Sequence, residues 1–302
     1  MSTLYGGVET GGTWCVCALG SGPGELVADD RFRTREPAST LQDIVAFFSR
    51  GPRPAAVGVG SFGPVDAHVG SPTWGHVTTT PKPGWANAPV APVLARGLGV
   101  PVAFDNDVTA AALGEQRWGA GHGVENLCYV TVGTGIGAGL LIEGRPLHGL
   151  VHPEVGHVRI PHDLRRDPFP GVCPYHGDCW EGLACGPALR ERWGAEGREL
   201  SDDHPAWALE AEYLALGVLA IVMVASPHRV ILGGGVMERP GLLELTRGRL
   251  RELVAGYMDQ PLLGGDIARF LVAPALGDDA GVLGAIALAQ AVSSAGAASS
   301  AV

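Results

Sequence analysis

His157, followed by Cys173-Pro174-Tyr175-His176-Gly177-Asp178-Cys179, sets two thiols and two imidazoles on a short stretch of chain. Four such soft donors suit a tetrahedral Zn2+ site, and with all four positions filled by protein no place is left for a reactive water. The metal would then pin a loop; a redox-active or unligated cysteine pair is the alternative. Glu154 and Glu181 flank the segment, three residues before His157 and two after Cys179. A pinned loop would let both carboxylates accept hydrogen bonds from sugar hydroxyls, although the spacing alone suits solvated surface glutamates as well.

Asp107 closes the run Phe104-Asp105-Asn106-Asp107, between a strand-like segment and a helix-like one over 108–118. The helix dipole favours an ionised carboxylate there, as a base needs in order to accept the proton of a hydroxyl attacking a γ-phosphate. The position also suits an ordinary helix cap. Gly11-Gly12-Thr13 and Gly133-Thr134-Gly135-Ile136-Gly137 can bring several backbone N–H groups to one anion. Either could be a plain hairpin, but two in matched positions favour a shared purpose. Gly233-Gly234-Gly235 lies between a strand over 229–232 and a helix over 242–254, where a base and ribose could lie against the backbone; a tight turn is the simpler reading.

Strand-like and helix-like runs alternate to position these residues, the pattern of an α/β protein. Strands are expected over 4–8, 13–19, 55–59, 100–104, 127–132 and 138–142, with a helix near Thr40 capped by Ser39 or Thr40. The strand ends at Gly60-Ser61-Phe62-Gly63-Pro64 and Asp105-Asn106-Asp107 should line a cleft, since open α/β sheets bind ligands beyond their carboxyl ends. The two strand-turn-strand segments read as two related halves. The last helix is expected over about 281–292, with a disordered Ala/Ser-rich tail behind it.

The 302 residues, 46% apolar and 17% charged, suit a globular protein of two domains at about 150 residues each. The net charge of −10 comes without a Lys/Arg cluster, so no footprint for nucleic acid or an anionic membrane is visible. The longest apolar run, 214–225, has 12 residues and reads as a buried helix, because a bilayer needs about 20. No signal peptide is legible, which points to the cytoplasm. Of the six cysteines, Cys15, Cys17 and Cys128 read as small core residues, and Cys185 takes no role.

The stretches GGVETGGT, VGVGSFGPVD, TTTPKPGW, FDNDVTAAALGE, YVTVGTGIGAG, HPEVGH, CPYHGDCWEGLACGPA, ILGGGVM and LGDDAGVLGA follow one another in an order that resembles the ROK family of sugar kinases and regulators, most closely its zinc-containing bacterial fructokinases. The resemblance implies an actin-like, ribonuclease-H-like fold of two α/β domains around a cleft, with a zinc-pinned loop. The lobes would be 1–115, with sugar and phosphate loops, and 116–302, with zinc loop and adenosine motif, the last helix packing back on the first lobe. It implies Mg2+-ATP and a hexose as ligands and a homodimer, while the charge distribution is what argues against a nucleic acid or membrane partner. Asp107 matches the family's base. Asn106, Glu154, His157 and Glu181 match the sugar-holding positions, with Gly63 and Pro64 beside them, and His157, Cys173, His176 and Cys179 match the zinc ligands. Gly11, Gly12, Thr13, Thr134 and Gly135 match the phosphate loops, Gly233 and Gly234 the adenosine motif, and Glu9 stands where many relatives have Asp near the metal.

Two departures stand out. Trp14 replaces the Lys that these fructokinases usually place after Gly-Gly-Thr, removing a cation near the phosphates, and Thr109 stands where relatives often have Asn. Fructose to fructose 6-phosphate is the expected reaction, with glucose, mannose or an N-acylhexosamine as alternative substrates. The rival class is a regulator. A DNA-binding one would need a helix-turn-helix ahead of the turn at residue 11 and a basic patch. A catalytically inactive sugar-binding one sits poorly with Asp107 and both turns present.

Overall fold

The computed structural model describes residues 2–299. It opens with β1 (Tyr5–Thr10), β2 (Trp14–Gly20), β3 (Leu26–Arg33), α1 (Pro37–Ser49), β4 (Val57–Ser61), α2 (Val90–Leu98), β5 (Val102–Asn106) and α3 (Asp107–Trp118). It continues with β6 (Leu127–Val132), β7 (Ile136–Ile142), β8 (Arg145–Pro146), α4 (Trp180–Ala184), α5 (Gly186–Trp193), α6 (Ala206–Ala225) and β9 (Arg229–Gly233). The chain ends with α7 (Leu242–Val254), α8 (Ile267–Phe270), β10 (Leu271–Val272) and α9 (Ala280–Ser299).

Two five-stranded sheets repeat one plan. The first runs β3-β2-β1-β4-β5 and the second β8-β7-β6-β9-β10. In each, an antiparallel hairpin (β1/β2, β6/β7) continues into parallel pairing on the first strand's other side. The repeated strand-turn-strand in the sequence is thus the hairpin at the heart of each sheet, and both glycine turns sit at the same end of the plan.

Local residue choice explains most elements. On α1, Leu41, Ile44 and Phe48 share the buried stripe, and on α7 Leu242, Thr246, Leu250 and Val254 recur every fourth residue. The cap of α1 is Glu36 instead of the expected Ser39 or Thr40: its carboxylate accepts the N–H groups of Ala38 and Ser39 at 3.0 Å, and Pro37 fits the first turn, where its missing N–H costs nothing. The apolar run at 214–225 is the second half of α6, which starts at Ala206. This helix is long and apolar enough to cross a bilayer, with mean hydropathy 1.9, but it carries Glu210 and buries Tyr213, Leu214, Val218 and Ile221 in the core of the second half with Trp180, Leu232 and Leu250.

Helix α9 lies against β1 and β4, and α3 lies against β6 and β7 as well as α9. The two helices touch so closely that a Cβ on Gly284 would come within 1.6 Å of the Ala110 carbonyl. This crossing brings the start of α3, with Asp107, and the start of α9 to the carboxyl ends of the strands of both sheets. Helix α9 extends beyond the expected 281–292 to Ser299; the end of the Ala/Ser-rich tail, 300–302, lies outside the described residues.

Candidate active site

Strand β5 runs two residues further than the sequence suggests, so Asp105 and Asn106 are its last members and Asp107 is the first residue of α3. Asn106 is the cap: its Oδ1 accepts the Thr109 N–H at 2.8 Å. Capping is therefore done by the neighbour, and the Asp107 carboxylate faces two cavities while accepting the Val108 N–H at 2.9 Å. Burial pushes its pKa up to about 6, outweighing the backbone N–H groups of Val108 and of Asp107 itself.

The larger cavity, about 570 Å3, is lined by Gly12, Gly63, Pro64, Asn106, Asp107, Thr134, Gly135, Glu154, His157 and Glu181. The other, about 410 Å3, is lined by Glu9, Asp107, Gly233 and Gly234 together with Tyr129, Asp278 and Gly281. Asp107 stands on the wall of both. A third recess joins Glu9, Gly11, Gly12 and Thr13 to Thr134, so the two glycine turns face each other across it. Residues scattered from 9 to 281 in the chain converge because the hairpin turns and strand ends all open to the same side.

Each turn is braced from behind. In the first, the Gly11 N–H donates to the Trp14 carbonyl at 2.8 Å, and Thr34, just past β3, donates its N–H to Thr13 O at 3.0 Å and its hydroxyl to Gly11 O at 2.7 Å. In the second, the Gly133 N–H donates to Gly135 O at 2.9 Å and Gly186, at the start of α5, donates to Gly133 O at 2.8 Å. Gly234 has φ +93°, and a Cβ there would lie 2.6 Å from the Val132 nitrogen, so the strand end tolerates glycine alone. Such braced turns cost little reorganisation when they meet an anion.

Four carboxyl groups, those of Glu9, Asp107, Glu154 and Glu181, crowd the cleft. Glu9 is pushed up to about 7 by burial first and by Asp107 second. A Cβ on Gly281 would sit 2.3 Å from the Glu9 carboxyl carbon, so α9 begins with glycine where that carboxylate lies. Glu154 is pushed up to about 7 by burial, then by Asp107 and Glu181. Mutual repulsion of this kind suits a divalent cation or a group that shares protons. Glu181 accepts the Ile136 N–H on Oε2 at 3.0 Å, while its Oε1 lies 4.0 Å from His157 Nδ1.

The four expected metal ligands converge. One donor atom each from His157, Cys173, His176 and Cys179 lies within 4.8 Å of all the others. His157 Nδ1 is 3.7 Å from Cys173 Sγ and 3.6 Å from Cys179 Sγ, and His176 Nδ1 is 3.7 Å from Cys173 Sγ. Tetrahedral zinc with bonds of 2.0–2.3 Å requires donor separations of roughly 3.3–3.8 Å, so the set fits the ion. A two-way bond between Cys173 and Gly177, N–H to carbonyl at 3.2 and 2.9 Å, folds the loop. Cys15, Cys17, Cys128 and Cys185 are buried, and all six thiols are free of disulfides.

A further group of residues, of which His152 lines the larger cavity, is absent from the residues that the sequence singles out. Buried His152 stands with Nδ1 2.8 Å from Asn106 Nδ2 and its Nε2 accepts the Val65 N–H at 3.1 Å, tying the cap of α3 to the loop after Pro64. Asp105 accepts the Asn106 N–H at 2.8 Å and pairs with His148 at 3.0 Å; this bond raises the His148 pKa, while burial lowers that of His152. The spacing His148–His152–Glu154 ahead of the metal loop was the available signal. At Trp14, the ring is stacked under the guanidinium groups of Arg33 at 4.1 Å and Arg31 at 4.9 Å.

Comparison with known proteins agrees with this arrangement. The model of the ROK family matches residues 5–292. The fructokinase of Zymomonas mobilis is 43% identical over 296 residues, covering 95% of this chain and 97% of that protein. The ROK hexokinase of Thermus thermophilus superposes with a TM-score of 0.80 at 27% identity, over 97% of this chain and all of that one. A ROK family glucokinase from Streptomyces griseus, solved with glucose and AMPPNP, superposes with a TM-score of 0.77 at 26% identity, over 95% and 99% of the two chains. With the family model spanning residues 5–292 and the sheets arranged as in those kinases, this chain belongs to the ROK family.

Proposed function

We propose that this protein transfers the γ-phosphoryl group of Mg2+-ATP to a hydroxyl of D-fructose, giving fructose 6-phosphate and ADP. The observation that carries this reading is the place of Asp107 on the wall shared by the two cavities, one lined by Asn106, Glu154, His157 and Glu181, the other by Gly233 and Gly234. Fructose is preferred because a fructokinase is 43% identical over nearly the full chain, whereas the glucokinase is 26% identical.

In this reading the hexose lies in the larger cavity, held by Asn106, Glu154, His157 and Glu181 beside Gly63 and Pro64, and the nucleotide lies along Gly233 and Gly234. Asp107 accepts the proton of the attacking hydroxyl as the new O–P bond forms and the bond to the ADP oxygen breaks. A pKa of about 6 leaves the carboxylate mostly ionised at neutral pH. Backbone N–H groups at Gly12 and Thr13 and at Thr134 and Gly135 hold the phosphate oxygens, while Gly11, whose own N–H goes to the Trp14 carbonyl, closes the first turn. Glu9 fits a divalent cation, and bound Mg2+ supplies charge neutralisation on those oxygens. His157, Cys173, His176 and Cys179 hold a structural zinc, four donors that fill a tetrahedral shell. The same reading takes 1–115 and 116–302 as lobes closing on the substrates and the protein as a homodimer, which light scattering tests.

ADP release from Mg2+-ATP, measured with fructose, glucose, mannose and N-acetylmannosamine separately, tests the function. The highest kcat/KM with fructose supports the reading. Another preferred sugar keeps the reaction class and replaces the substrate, and no release with any sugar overturns the kinase in favour of a sugar-binding regulator.

A further inference from the structure

The recess between the two glycine turns is acidic. Glu9, Asp29, Asp30, Glu238, Asp278 and Asp279 border it, and the cations on its wall are Arg31 and Lys82. A polyphosphate entering there needs compensating positive charge beyond one divalent ion. Trp14 contributes none, and the Arg31 guanidinium lies 4.9 Å from the Trp14 ring centroid, engaged by that face together with Arg33.

Lys82 is differently placed. It lies in the long connection between β4 and α2, half-buried, and its Nζ donates to the Gly12 carbonyl at 2.5 Å, at the tip of the first turn. The ammonium is also 5.9 Å from the ring of Phe62, which lines the larger cavity. It therefore stands in the recess beside its border with that cavity, the two spaces sharing Gly12, Pro81 and Thr134. Among the described residues the ammonium has no carboxylate partner, and one carbonyl uses only one of its three donors.

We propose that Lys82 is the phosphate-contacting cation of this site, holding the transferred phosphoryl group from the connection after β4 and supplying the charge that Trp14 lacks. The inference rests on the kinase reading above. A lysine acts as a point charge on a flexible stem, so Arg should substitute in part and an uncharged side chain of similar length should not.

The test compares wild type with Lys82→Met, Lys82→Arg and Arg31→Met in steady-state kinetics against Mg2+-ATP, with sugar binding and thermal melting alongside. Lys82→Met is expected to lower kcat/KM for ATP on the order of 10–100-fold, the range for a lost charge-assisted bond, while sugar affinity and Tm stay unchanged and Lys82→Arg recovers part of the loss. A Lys82→Met enzyme within about twofold of wild type for ATP, or an equal loss in Arg31→Met, overturns the proposal. Should wild type phosphorylate no sugar, the kinase reading itself falls, and calorimetry with inorganic tripolyphosphate still decides on Lys82: binding lost in Lys82→Met supports it, and equal binding by both proteins overturns it.

Discussion

The backbone N–H of Ile136 donates to Glu181 Oε2 at 3.0 Å, and the same carboxylate turns Oε1 toward His157 Nδ1 at 4.0 Å. One side chain thus links the second glycine turn to the metal-ligand loop. Glu181 follows Cys179 by two residues, so the proposed sugar-holding loop and the proposed phosphate turn meet at this one side chain.

Glu181→Ala should therefore weaken both substrates. A bond to a charged acceptor contributes about 1.5–3 kcal/mol, so kcat/KM is expected to fall by roughly 10–100-fold for hexose and for ATP alike. Steady-state kinetics with each substrate varied in turn checks this. A loss confined to the hexose would mean that the bond to Ile136 does not hold the turn.

Replacing Asp107 with Asn keeps the Val108 N–H bond available to a side-chain oxygen while removing the base. The fold and sugar binding should persist, and kcat should drop by about 10²–10⁴-fold. Residual turnover near wild type would place the base elsewhere.

The pH dependence follows from the same group. A base is active when ionised, and burial raises Asp107 to about 6 in the ligand-free protein, so kcat/KM should be lost as pH falls through about 6. An ordinary carboxylate would hold activity down to about 4. A kcat/KM profile between pH 5 and 8 separates the two, and a flat profile across that range would contradict the raised value.

At the metal loop, Cys173→Ser removes one of four converging ligands. Metal analysis should show zinc in the wild type and its loss in the variant, with a lower Tm and weaker hexose binding because Glu154 and Glu181 lose their support. Equal metal content in both proteins would show that these four residues do not form the site.

Glu210 is fully buried in α6, neither of its oxygens has a hydrogen-bond partner among the described residues, and burial raises its pKa well above the carboxylate range. The folded state therefore binds more protons than the unfolded one, and this group's contribution to stability diminishes as pH rises above the unfolded value. Glu210→Leu should raise stability by about 1–3 kcal/mol at pH 8 and by less at pH 5. Denaturant melts at the two pH values measure the difference; an equal gain at both would show that ionisation of Glu210 is not involved.

The sequence by itself determined the elements whose cause is local. The spacing of Leu41, Ile44 and Phe48 marks α1, the glycine turns mark the tips of both hairpins, and two cysteines with two histidines mark a metal loop whatever surrounds it. These features rest on side-chain periodicity, backbone freedom and donor chemistry, each carried by a few neighbouring residues. Tertiary structure alone decided which residues share a wall. Asp107 is freed from capping because Asn106 takes that role, its pKa is raised because α3 is buried between the two sheets, and Lys82 meets Gly12 across 70 positions of chain. Burial and long-range approach depend on how the sheets and α9 come together, and no local window of sequence contains that information.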